Sequence, residues 1–444
     1  MKKIVVTVVV LIAIVLGGIK FYASKVESKF HDTIAGLESF EFVKVENKTY
    51  SGGLFKSDAK FDLMFKKDSI NKYLGLSDED GLKEDIKVKI VSNIAHGISN
   101  LTKGIEIIGD VEFDNKNLRD MSNELFATEK PIKFKIVDSM SGDKNARFEL
   151  SKIDKKIDDA KLDLASTFLD LKLDGSYRIL ENKISSDFIG ANSGELNVKI
   201  ENLSYDAKYE KPIGIQNLIK YNFVNTSAKT NIKKMSLDAM QNSFHVDDVA
   251  IDTKLTVDND TISQIDNIRV DKFAYKGNEI RGVLIDTKVE NIDKKALEEI
   301  LNSDTKDSEI YFTQMENVFK KVLKRGPKVV FERLNFKNSD NKNYLSNLEI
   351  SLDGSSQESD FLSIGNIMRL LNLKGEISID TTPGEFFFKN LEEQKSMIDQ
   401  SLLDSGVFVK TGDNYESKFS YNKRTQDIIF NNKISLKTFL STMF

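Results

Sequence analysis

The chain has 444 residues, of which 40% are hydrophobic and 30% charged, and its formal net charge at pH 7 is −5. This composition provides for a sizeable apolar core and a well-solvated surface, and the near balance of acids and bases predicts no nucleic-acid partner. Because cysteine is absent, disulfides, zinc–thiolate sites, thiol catalysis and a lipidated cysteine are excluded.

The N-terminal segment has the features of a membrane anchor. Ile4–Ala23 has the roughly 20 residues that cross the hydrocarbon core of a bilayer. Its Lys20 ammonium can snorkel to the interface, where Tyr22 joins the aromatic belt. We therefore predict that residues 1–25 form an uncleaved, single-pass anchor with the N-terminus inside and the rest of the chain exported.

Two other interpretations of this segment stay open. A cleaved signal peptide needs small residues at positions −3 and −1 of its cleavage site, and Phe21 occupies the −3 position of a site after Ala23. The segment is also compatible with a hydrophobic N-terminal helix in a cytosolic protein. The anchor agrees better with the length of the apolar stretch and with its flanking residues.

Residues 26–304 begin with a short amphipathic helix predicted at Val26–Leu37 and are then dominated by a two-residue alternation of apolar and polar side chains. Such alternation is typical of half-buried strands. Breaks in it between Leu164 and Leu169 and after Asn202 predict bulges or bends. The strands predicted in the first half are Phe40–Val45, Ala59–Phe65, Ile86–Val91, Ile105–Phe113, Ile132–Val137, Phe148–Ile153, Leu162–Leu173 and Leu196–Tyr209.

The clearest alternation lies in the middle of the chain, at Phe244–Ile292. There the segment Val249–Lys254 returns 34 residues later as Val283–Lys288, with the same order of apolar and polar positions. Asn259-Asp260 and Gly277-Asn278 supply turn residues between the repeats. The pattern predicts an antiparallel meander.

Helices concentrate in residues 305–444. Thr382-Pro383 and Glu385 form a capping box with proline at the first helical position, which predicts the start of a helix. The predicted helices are Ile310–Lys324, Phe361–Asn372 and a third from Pro383 to near Gly406, and the predicted strands are Val407–Val409, Lys418–Tyr421, Ile428–Asn431 and Ile434–Leu440.

These elements predict a mainly β, α+β fold. Its body is a long, curled antiparallel sheet with amphipathic helices covering part of the apolar face, preceded by one transmembrane helix. We divide the chain into the anchor (1–25), an extended β body (26–304) and a helix-richer part of the same body (305–444). Any part of the apolar face that the helices leave uncovered is a groove for a lipid or a protein partner.

A stretch near the start of the sheet resembles an element of a known bacterial family. Tyr50–Ala59 is similar to the family's Tyr-x-x-Gly-Leu-Phe-x-Ser-x-Ala element. The motif positions are therefore Tyr50, Gly53, Phe55 and Ser57.

Two further motifs extend the resemblance over nearly the whole chain. His96-Gly97 resembles the family's His-Gly-Pro element, with isoleucine in place of the proline. Tyr415–Lys433 resembles its closing Tyr…Asn-Gly-Lys pattern, with Asn432 in place of the glycine. The family is the YdgA-like group of bacterial envelope proteins, of unknown function. The resemblance implies an inner-membrane anchor with a periplasmic body, and it supplies no catalytic residues.

The sequence contains no catalytic or metal-binding motif. His31, His96 and His245 have no second histidine and no acid pair at metal-ligand spacing. His96 is the candidate for a catalytic base, although a turn histidine bonded to the backbone explains it more simply. The acidic turns Asp78–Gly81 and Asp258–Asp260 lack the remaining ligands of a calcium loop. We therefore predict no cofactor and no metal.

Phe386, Phe387 and Phe388 form the most conspicuous apolar cluster after the anchor. Neighbouring residues on a helix differ in direction by about 100°. One side of the cluster can therefore pack on the sheet while another meets a second subunit or the membrane surface. Ordinary core packing is the alternative.

We expect a non-enzymatic protein of the bacterial inner membrane whose periplasmic sheet binds an apolar ligand such as a lipid, or an envelope protein. The first alternative is a structural component without a ligand, which forms a homo-oligomer through Phe386–Phe388. The second is a hydrolase that uses His96 or a pair of carboxylates.

Overall fold

The computed structural model describes Glu38 and residues 43–52, 56–73, 82–95, 104–139, 144–157, 159–214, 223–240, 242–276, 278–301, 308–354, 364–387 and 392–443. The chain forms two compact units, residues 1–222 with 303–308 and residues 223–302 with 309–444. The predicted anchor and the predicted helix at Val26–Leu37 lie outside the described residues. Within the described residues, no helix combines the length and apolarity that a membrane span requires.

The first unit is an antiparallel meander. Its strands are β1 Val43–Gly52, β2 Lys56–Phe65, β3 Ile86–Ala95, β4 Ile105–Phe113, β5 Ile132–Asp138, β6 Lys144–Leu150, β7 Ile153–Ile157, β8 Ala160–Leu164, β9 Thr167–Leu173, β10 Ile179–Asn192 and β11 Leu196–Ile213. Strands β1 to β6 pair in chain order, and β6 then pairs with β9, β9 with β10 and β10 with β11. The short strands β7 and β8 pair with each other, and β8 also pairs with β10. Its helices are α1 Lys67–Tyr73 and α2 Lys116–Phe126.

The core of the first unit lies on one face of this meander. Phe61, Ile90, Val111 and Ile132 face one another across β2 to β5, and all four are buried. A second buried row runs two residues further along the strands, since side chains of one parity share a face. The alternation in the sequence therefore marks a covered apolar face in this unit.

The second unit is also an antiparallel meander. Its strands are β12 Thr226–Ala239, β13 Asn242–Asp258, β14 Thr261–Tyr275, β15 Asn278–Asp293, β16 Lys328–Lys337, β17 Asn343–Leu352, β18 Leu371–Ile379, β19 Val409–Thr411, β20 Asn414–Asn422, β21 Asp427–Phe430 and β22 Ile434–Ser435. Strands β12 to β18 pair in chain order, and β18 then pairs with β20. Strand β20 also pairs with β19 and β21, and β21 with β22. Its helices are α3 Lys294–Leu301, α4 Ser308–Lys324, α5 Ile364–Leu370, α6 Pro383–Phe387, α7 Glu392–Asp404 and α8 Leu436–Met443.

Four neighbouring strands of the second unit shift their apolar parity together. In β13, Val246 and Val249 each lie in an all-apolar cross-strand row, although only two polar residues separate them. Asp248 in β13 and Gly282 in β15 have φ values of 51° and 58°, the left-handed conformation that bulges use. The aligned polar doublets are Lys233-Lys234, Asp247-Asp248, Asp271-Lys272 and Arg281-Gly282. Because every strand shifts at the same place, the register is kept and the apolar rows stay continuous.

Helices cover the last strands of the second unit. Ile379 at the end of β18 is buried with Val407, Phe408 and Phe439, the last of which belongs to α8. Partly buried side chains that pack against this cluster include Phe386 from α6 and Leu402 and Leu403 from α7. The C-terminal helices therefore contribute directly to the core at this end of the sheet.

The structure confirms a mainly β, antiparallel chain and both predicted irregularities. The break between Leu164 and Leu169 corresponds to the end of β8 and the start of β9. Asn202 within β11 has a φ of 52°. Asparagine tolerates this left-handed conformation better than most residues, which explains why the alternation shifts there.

Several predicted boundaries were wrong. The strand predicted at Ile434–Leu440 ends at Ser435 and continues as α8, because Leu436, Phe439 and Leu440 are spaced for one face of a helix. The predicted strand Phe148–Ile153 is divided, since β6 ends at Leu150 and β7 begins at Ile153.

Two of the predicted helices were longer than those observed, whereas the helix predicted at Ile310–Lys324 lies within α4 and ends at the predicted residue. The described part of the helix predicted at Phe361–Asn372 ends at Leu370, where β18 follows directly. The helix predicted from Pro383 begins there, with Thr382 Oγ1 accepting a hydrogen bond from the Glu385 amide. It ends at Phe387, however, and α7 begins separately at Glu392. The helical spacing of apolar residues continues across this break, so the sequence alone predicted one helix. Tertiary contacts are needed to show where the first helix ends. The proposed subdivision near residue 304 stays a prediction, because residues 302–307 lie outside the described ranges.

Two cross-strand glycines are covered by the phenylalanine opposite them. A Cβ on Gly109 would lie 2.2 Å from Cζ of Phe134 and 2.6 Å from the Val91 carbonyl oxygen. In the second unit, a Cβ on Gly375 would lie 2.5 Å from Cζ of Phe419. In both places an aromatic ring replaces the contacts that the glycine cannot make.

We expect Gly109→Ala to lower the free energy of unfolding by about 1–3 kcal/mol, because the new methyl group overlaps both a ring and a backbone carbonyl. The measurement is a urea titration of the full-length protein followed by circular dichroism. Gly175→Ala is the control, since a Cβ at that glycine meets nothing within 4 Å. Equal midpoints for the two variants would contradict the packing that we describe.

Candidate functional site

The first family-motif residues lie on one β-hairpin of the first unit. Tyr50 is in β1 and Ser57 in β2, and the Tyr50 hydroxyl donates a hydrogen bond to Ser57 Oγ at 2.9 Å. Ser57 is buried, with an exposed fraction of 2%. Gly53 and Phe55 lie outside the described residues. The contact between Tyr50 and Ser57 ties the two strands together and gives these positions a structural role.

Within the described residues, no histidine is part of a catalytic site. His96 and Gly97 follow the end of β3 and lie outside the described residues, as does His31. His245 Nε2 lies 3.6 Å from Asp238 Oδ1, and both side chains are about 40% exposed. In the described part of the chain, no group of three or more histidine, cysteine or acidic residues is arranged to hold a metal ion. His96 as a catalytic base therefore stays a prediction.

The phenylalanine cluster is divided between the core and the surface. Phe386 packs against the buried cluster around Ile379 and lies 5.9 Å from the ring of Tyr344. Phe387 contacts Phe386 edge-on at 5.0 Å, and 47% of its surface is exposed. Phe388 lies outside the described residues. An interaction surface at this cluster stays a prediction, with Phe387 as its exposed member.

The most extended apolar feature is a surface on strands β12 to β16 of the second unit, which we call the apolar strip. It consists of four successive cross-strand rows, and the polar doublets separate the second row from the third. The rows are Leu237, Phe244 and Tyr275; Met235, Val246, Phe273 and Ile280; Ile232, Val249, Val270 and Val283; and Ile251, Ile268, Ile285 and Leu334. From Ile268 to Tyr275 the strip is about 23 Å long, at about 3.3 Å per residue.

Most of the apolar strip is half-buried, and of its side chains only Leu237 and Tyr275 are exposed. Val246 and Val283 are buried, but Ile251, Ile268 and Ile285 are only half-buried. In the first unit, by contrast, the corresponding apolar rows are buried. The strip is therefore an apolar surface without a complete cover.

A polar cluster lies beyond the fourth row of the strip, and beyond this cluster the ladder is apolar again at Val257, Ile262 and Ile292. Asp266 lies one row beyond Ile268 and faces Thr253 across β13 and β14. The Thr253 hydroxyl donates to Asp266 Oδ1 at 2.7 Å, and Gln264 Nε2 donates to Oδ2 at 2.7 Å. The surface thus changes from apolar to hydrogen-bonding along the strand direction.

The polar doublets carry balanced charge. The Lys233 ammonium donates to both carboxylate oxygens of Asp248 at 2.7 and 2.9 Å. This hydrogen bond is the main cause of the raised pKa of Lys233, to which Asp247 and Asp271 also contribute. Glu279 pairs with Lys272 at 2.6 Å and with Arg281, and these hydrogen bonds lower the pKa of Glu279. The charges satisfy one another, so they do not by themselves form a binding site.

A buried ion pair lies at one end of the core of the first unit. Lys144 Nζ donates to Asp138 Oδ2 at 2.5 Å, and both side chains are less than 10% exposed. The Tyr177 hydroxyl donates to the same carboxylate oxygen at 3.3 Å, and Lys144 Nζ lies 4.4 Å from the centre of the Tyr177 ring. Because the cluster is closed to solvent, it has no access for a substrate, and its role is to join three strand ends.

A second polar cluster of the first unit lies on β10 and β11. Asn182 Nδ2 donates to the Tyr209 hydroxyl at 3.3 Å, and Asn182 Oδ1 is buried with no hydrogen-bond partner among the described residues. Burial is the main cause that raises the pKa of Tyr209 to about 12, and the neighbouring Tyr205 contributes to this rise. Burial also raises the pKa of Tyr205.

The charged surface of the first unit contains an open depression of about 600 Å³. Arg147 on its wall donates to both oxygens of Asp170, at 2.7 and 2.9 Å. Its charged lining residues are Lys135, Arg147, Lys172, Lys183, Asp170, Glu181 and Asp206. With both signs interspersed, the depression does not select a ligand of one charge.

Sequence reasoning found β13 and β15 of the apolar strip but missed β12 and β16. In β12 the apolar residue Ile232 is surrounded by lysines and threonine, so the alternation is weak in isolation. The signal is the Ile232-Lys233-Lys234-Met235 spacing, which matches the apolar–polar–polar–apolar spacing of the next three strands.

Comparison with known proteins identifies one family. Residues 1–437 match the model of a family described as a bacterial protein of unknown function, DUF945. No curated protein and no solved structure matches the chain.

We expect Lys144→Met to lower the free energy of unfolding by about 3–5 kcal/mol, because it leaves the Asp138 carboxylate buried without its counter-ion. Lys172→Met is the control, since the Lys172 side chain is 45% exposed and lies 3.9 Å from Glu181. It should change the free energy by less than about 1 kcal/mol. Urea titrations of both full-length variants measure the difference, and a similar small loss in both would show that the pair is not structural.

We expect the stability of the protein to fall between about pH 10 and pH 12, in part because of Tyr209. Its folded pKa of about 12 lies above the unfolded value near 10, so the unfolded chain loses the phenolic proton first. The contribution of Tyr209 is complete below pH 10 and is lost as the pH rises through the folded pKa.

Urea midpoints of the full-length protein at several alkaline pH values measure this effect. Tyr209→Phe should make the alkaline decline shallower, whereas Tyr275→Phe, at a residue that is 43% exposed, should leave it unchanged. Identical declines in the wild type and in Tyr209→Phe would contradict the prediction.

Proposed function

We propose a lipid-binding role for this chain, which belongs to the DUF945 family of bacterial proteins of unknown function. In this proposal the protein is non-enzymatic and is held in the inner membrane through Ile4–Ala23. Its bulk lies in the periplasm, and the apolar strip binds the acyl part of a lipid. The length and composition of the N-terminal segment support the anchor, and the motif resemblance to the YdgA-like group supports the envelope location.

The observation that carries the proposal is the half-buried apolar strip. Ile251, Ile268 and Ile285 lie side by side on three strands, and all are half-buried. An apolar surface of this kind gains about 25 cal/mol for each Å² that is removed from water. A monomeric soluble protein rarely leaves a large contiguous apolar patch without an occupant. The strip therefore has a physical reason to bind something apolar.

The shape and polarity of the strip favour a lipid over a compact metabolite. Small metabolites bind in concave pockets with a few convergent polar groups, whereas the strip is long and its side chains are almost entirely apolar. Its one polar boundary is the cluster of Thr253, Gln264 and Asp266. An amphipathic molecule with its chain on the strip and its polar group beside this cluster matches the order of surfaces along the strands.

A second candidate is a structural envelope component without a ligand. The observation that favours it is Phe387, which is 47% exposed beside the packed Phe386. In this case Phe386–Phe388 would be the contact between copies of the chain. A hydrolase using His96 stays a prediction, because His96 lies outside the described residues.

The proposal predicts that lipid accompanies the full-length protein purified in mild detergent, as measured by mass spectrometry of an organic extract. Ile268→Asp should reduce the lipid about tenfold or more, because a carboxylate against an acyl chain loses its hydration. Ile265→Asp is the matched control: it is the same change in the same strand, on the opposite face, at a side chain that is 40% exposed.

Urea midpoints of the two variants establish that both are folded to the same extent. Equal lipid in the two variants would contradict binding on the strip. A lipid-free wild type that is dimeric in light scattering would favour the structural component instead.

A further inference from the structure

Two neighbouring hairpin ends of the second unit display apolar side chains to solvent. Met240, in the turn between β12 and β13, is 83% exposed. Tyr275, at the end of β14 before the next turn at this edge, is 43% exposed, and Leu237 is 40% exposed. Phe244 lies between them in the ladder, directly opposite both Leu237 and Tyr275. We call Leu237, Met240, Phe244 and Tyr275 the tip surface.

The backbone at Met240 gives a second, independent observation. Met240 has a φ of 51°, in the left-handed region that hairpin turns normally fill with asparagine, aspartate or glycine. A flexible apolar residue is strained there and, with most of its surface exposed, gains little from packing. A strained residue of this kind is a reason to look for a function of its side chain.

The opposite end of the same strands follows the usual pattern. The turn between β13 and β14 contains Asp258, Asn259 and Asp260, and Asn259 takes the left-handed position with a φ of 40°. The turn between β16 and β17, at the same end as the tip surface, also has asparagine in that position, with Asn341 at a φ of 61°. In these two turns an asparagine therefore takes the left-handed position that Met240 takes in the turn between β12 and β13.

We propose that the tip surface contacts the surface of a lipid bilayer. Tyrosine is enriched at membrane–water interfaces because its ring is apolar and its hydroxyl is polar. Lys276 extends beside it, with Nζ 5.4 Å from the centre of the Tyr275 ring, so that its ammonium reaches the headgroups while its stem follows the ring. Met240 is unbranched and adapts its shape to acyl chains. These side chains together match the chemistry of an interface, with apolar tips and one lysine ammonium beside them.

The position of the tip surface also agrees with the proposed lipid binding. Leu237, Phe244 and Tyr275 form the outermost row of the apolar strip, which continues inward through the row of Val246. A lipid chain entering at the tip therefore meets two apolar rows first and two more beyond the polar doublets. Only this path of a lipid onto the strip rests on the proposed function. Contact of the tip surface with a bilayer can be tested without any lipid on the strip.

The absence of cysteine from the chain allows a direct test by labelling a single introduced cysteine. Met240→Cys is labelled with an environment-sensitive fluorophore in the full-length protein. The protein is then reconstituted into vesicles of phosphatidylethanolamine and phosphatidylglycerol, with and without nitroxide-labelled lipid. Asp258→Cys at the opposite end of the strands is the matched control, because both positions lie beside hairpin turns and are exposed.

We expect the label at position 240 to shift to shorter wavelength and to be quenched by nitroxide lipid at least about twofold more than the label at position 258. Tyr275→Asp in the Met240→Cys background should reduce this quenching toward the control value. Equal quenching at the two positions, or a wavelength shift at position 240 without lipid quenching, would overturn bilayer contact, and the second result would indicate a protein partner at the tip. Either result leaves lipid retention on the strip, measured by mass spectrometry, as a separate outcome.

Discussion

The register of the antiparallel ladders is the constraint on which the rest of the structure depends. Side chains alternate between the two faces of a strand, so a slip of one residue moves every apolar side chain to the other face. In β12 to β15 each strand contains one polar doublet, and all four doublets lie side by side. A doublet in only one strand would break the apolar rows at that point. Because the four strands change parity at the same position, the apolar rows on both sides of the doublets stay aligned.

Ion pairs between the strands offset the repulsion of like charges in the aligned polar doublets. Lys272 lies directly opposite Arg281, a like-charge pair that destabilises a sheet on its own. Glu279 contacts both side chains and removes the conflict. Exposed ion pairs of this kind contribute little stability individually. Their effect is to pair the charged residues of the doublets with one another, while the apolar strip in the same part of the sheet stays half-buried.

The sequence predicts the strands better than the contacts between them. Alternation located β4 at its observed bounds and placed irregularities near Leu164 and Asn202, since both signals depend on neighbouring residues. It failed at Ile434–Leu440, where the apolar residues satisfy a strand period at the start and a helical period afterwards. The cluster of Asp138, Lys144 and Tyr177 was not predictable, because it depends on which residues of separate strands come into register. For the same reason the strip could be expected as an open apolar face but not located on particular strands.

The direction of polarity along the second unit links its two proposed roles. Leu237, Met240 and Tyr275 of the tip surface are exposed, the rows behind them are half-buried or buried, and the cluster around Asp266 beyond the fourth row is hydrogen-bonded. A surface that served only as a protein contact would not require this change from apolar to hydrogen-bonding side chains along the strands. An amphipathic molecule needs it, because its chain and its polar group must be satisfied at the same time. The open tip end and the polar far end therefore favour a lipid that enters from a bilayer with its chain on the strip, and they disfavour a uniformly apolar ligand.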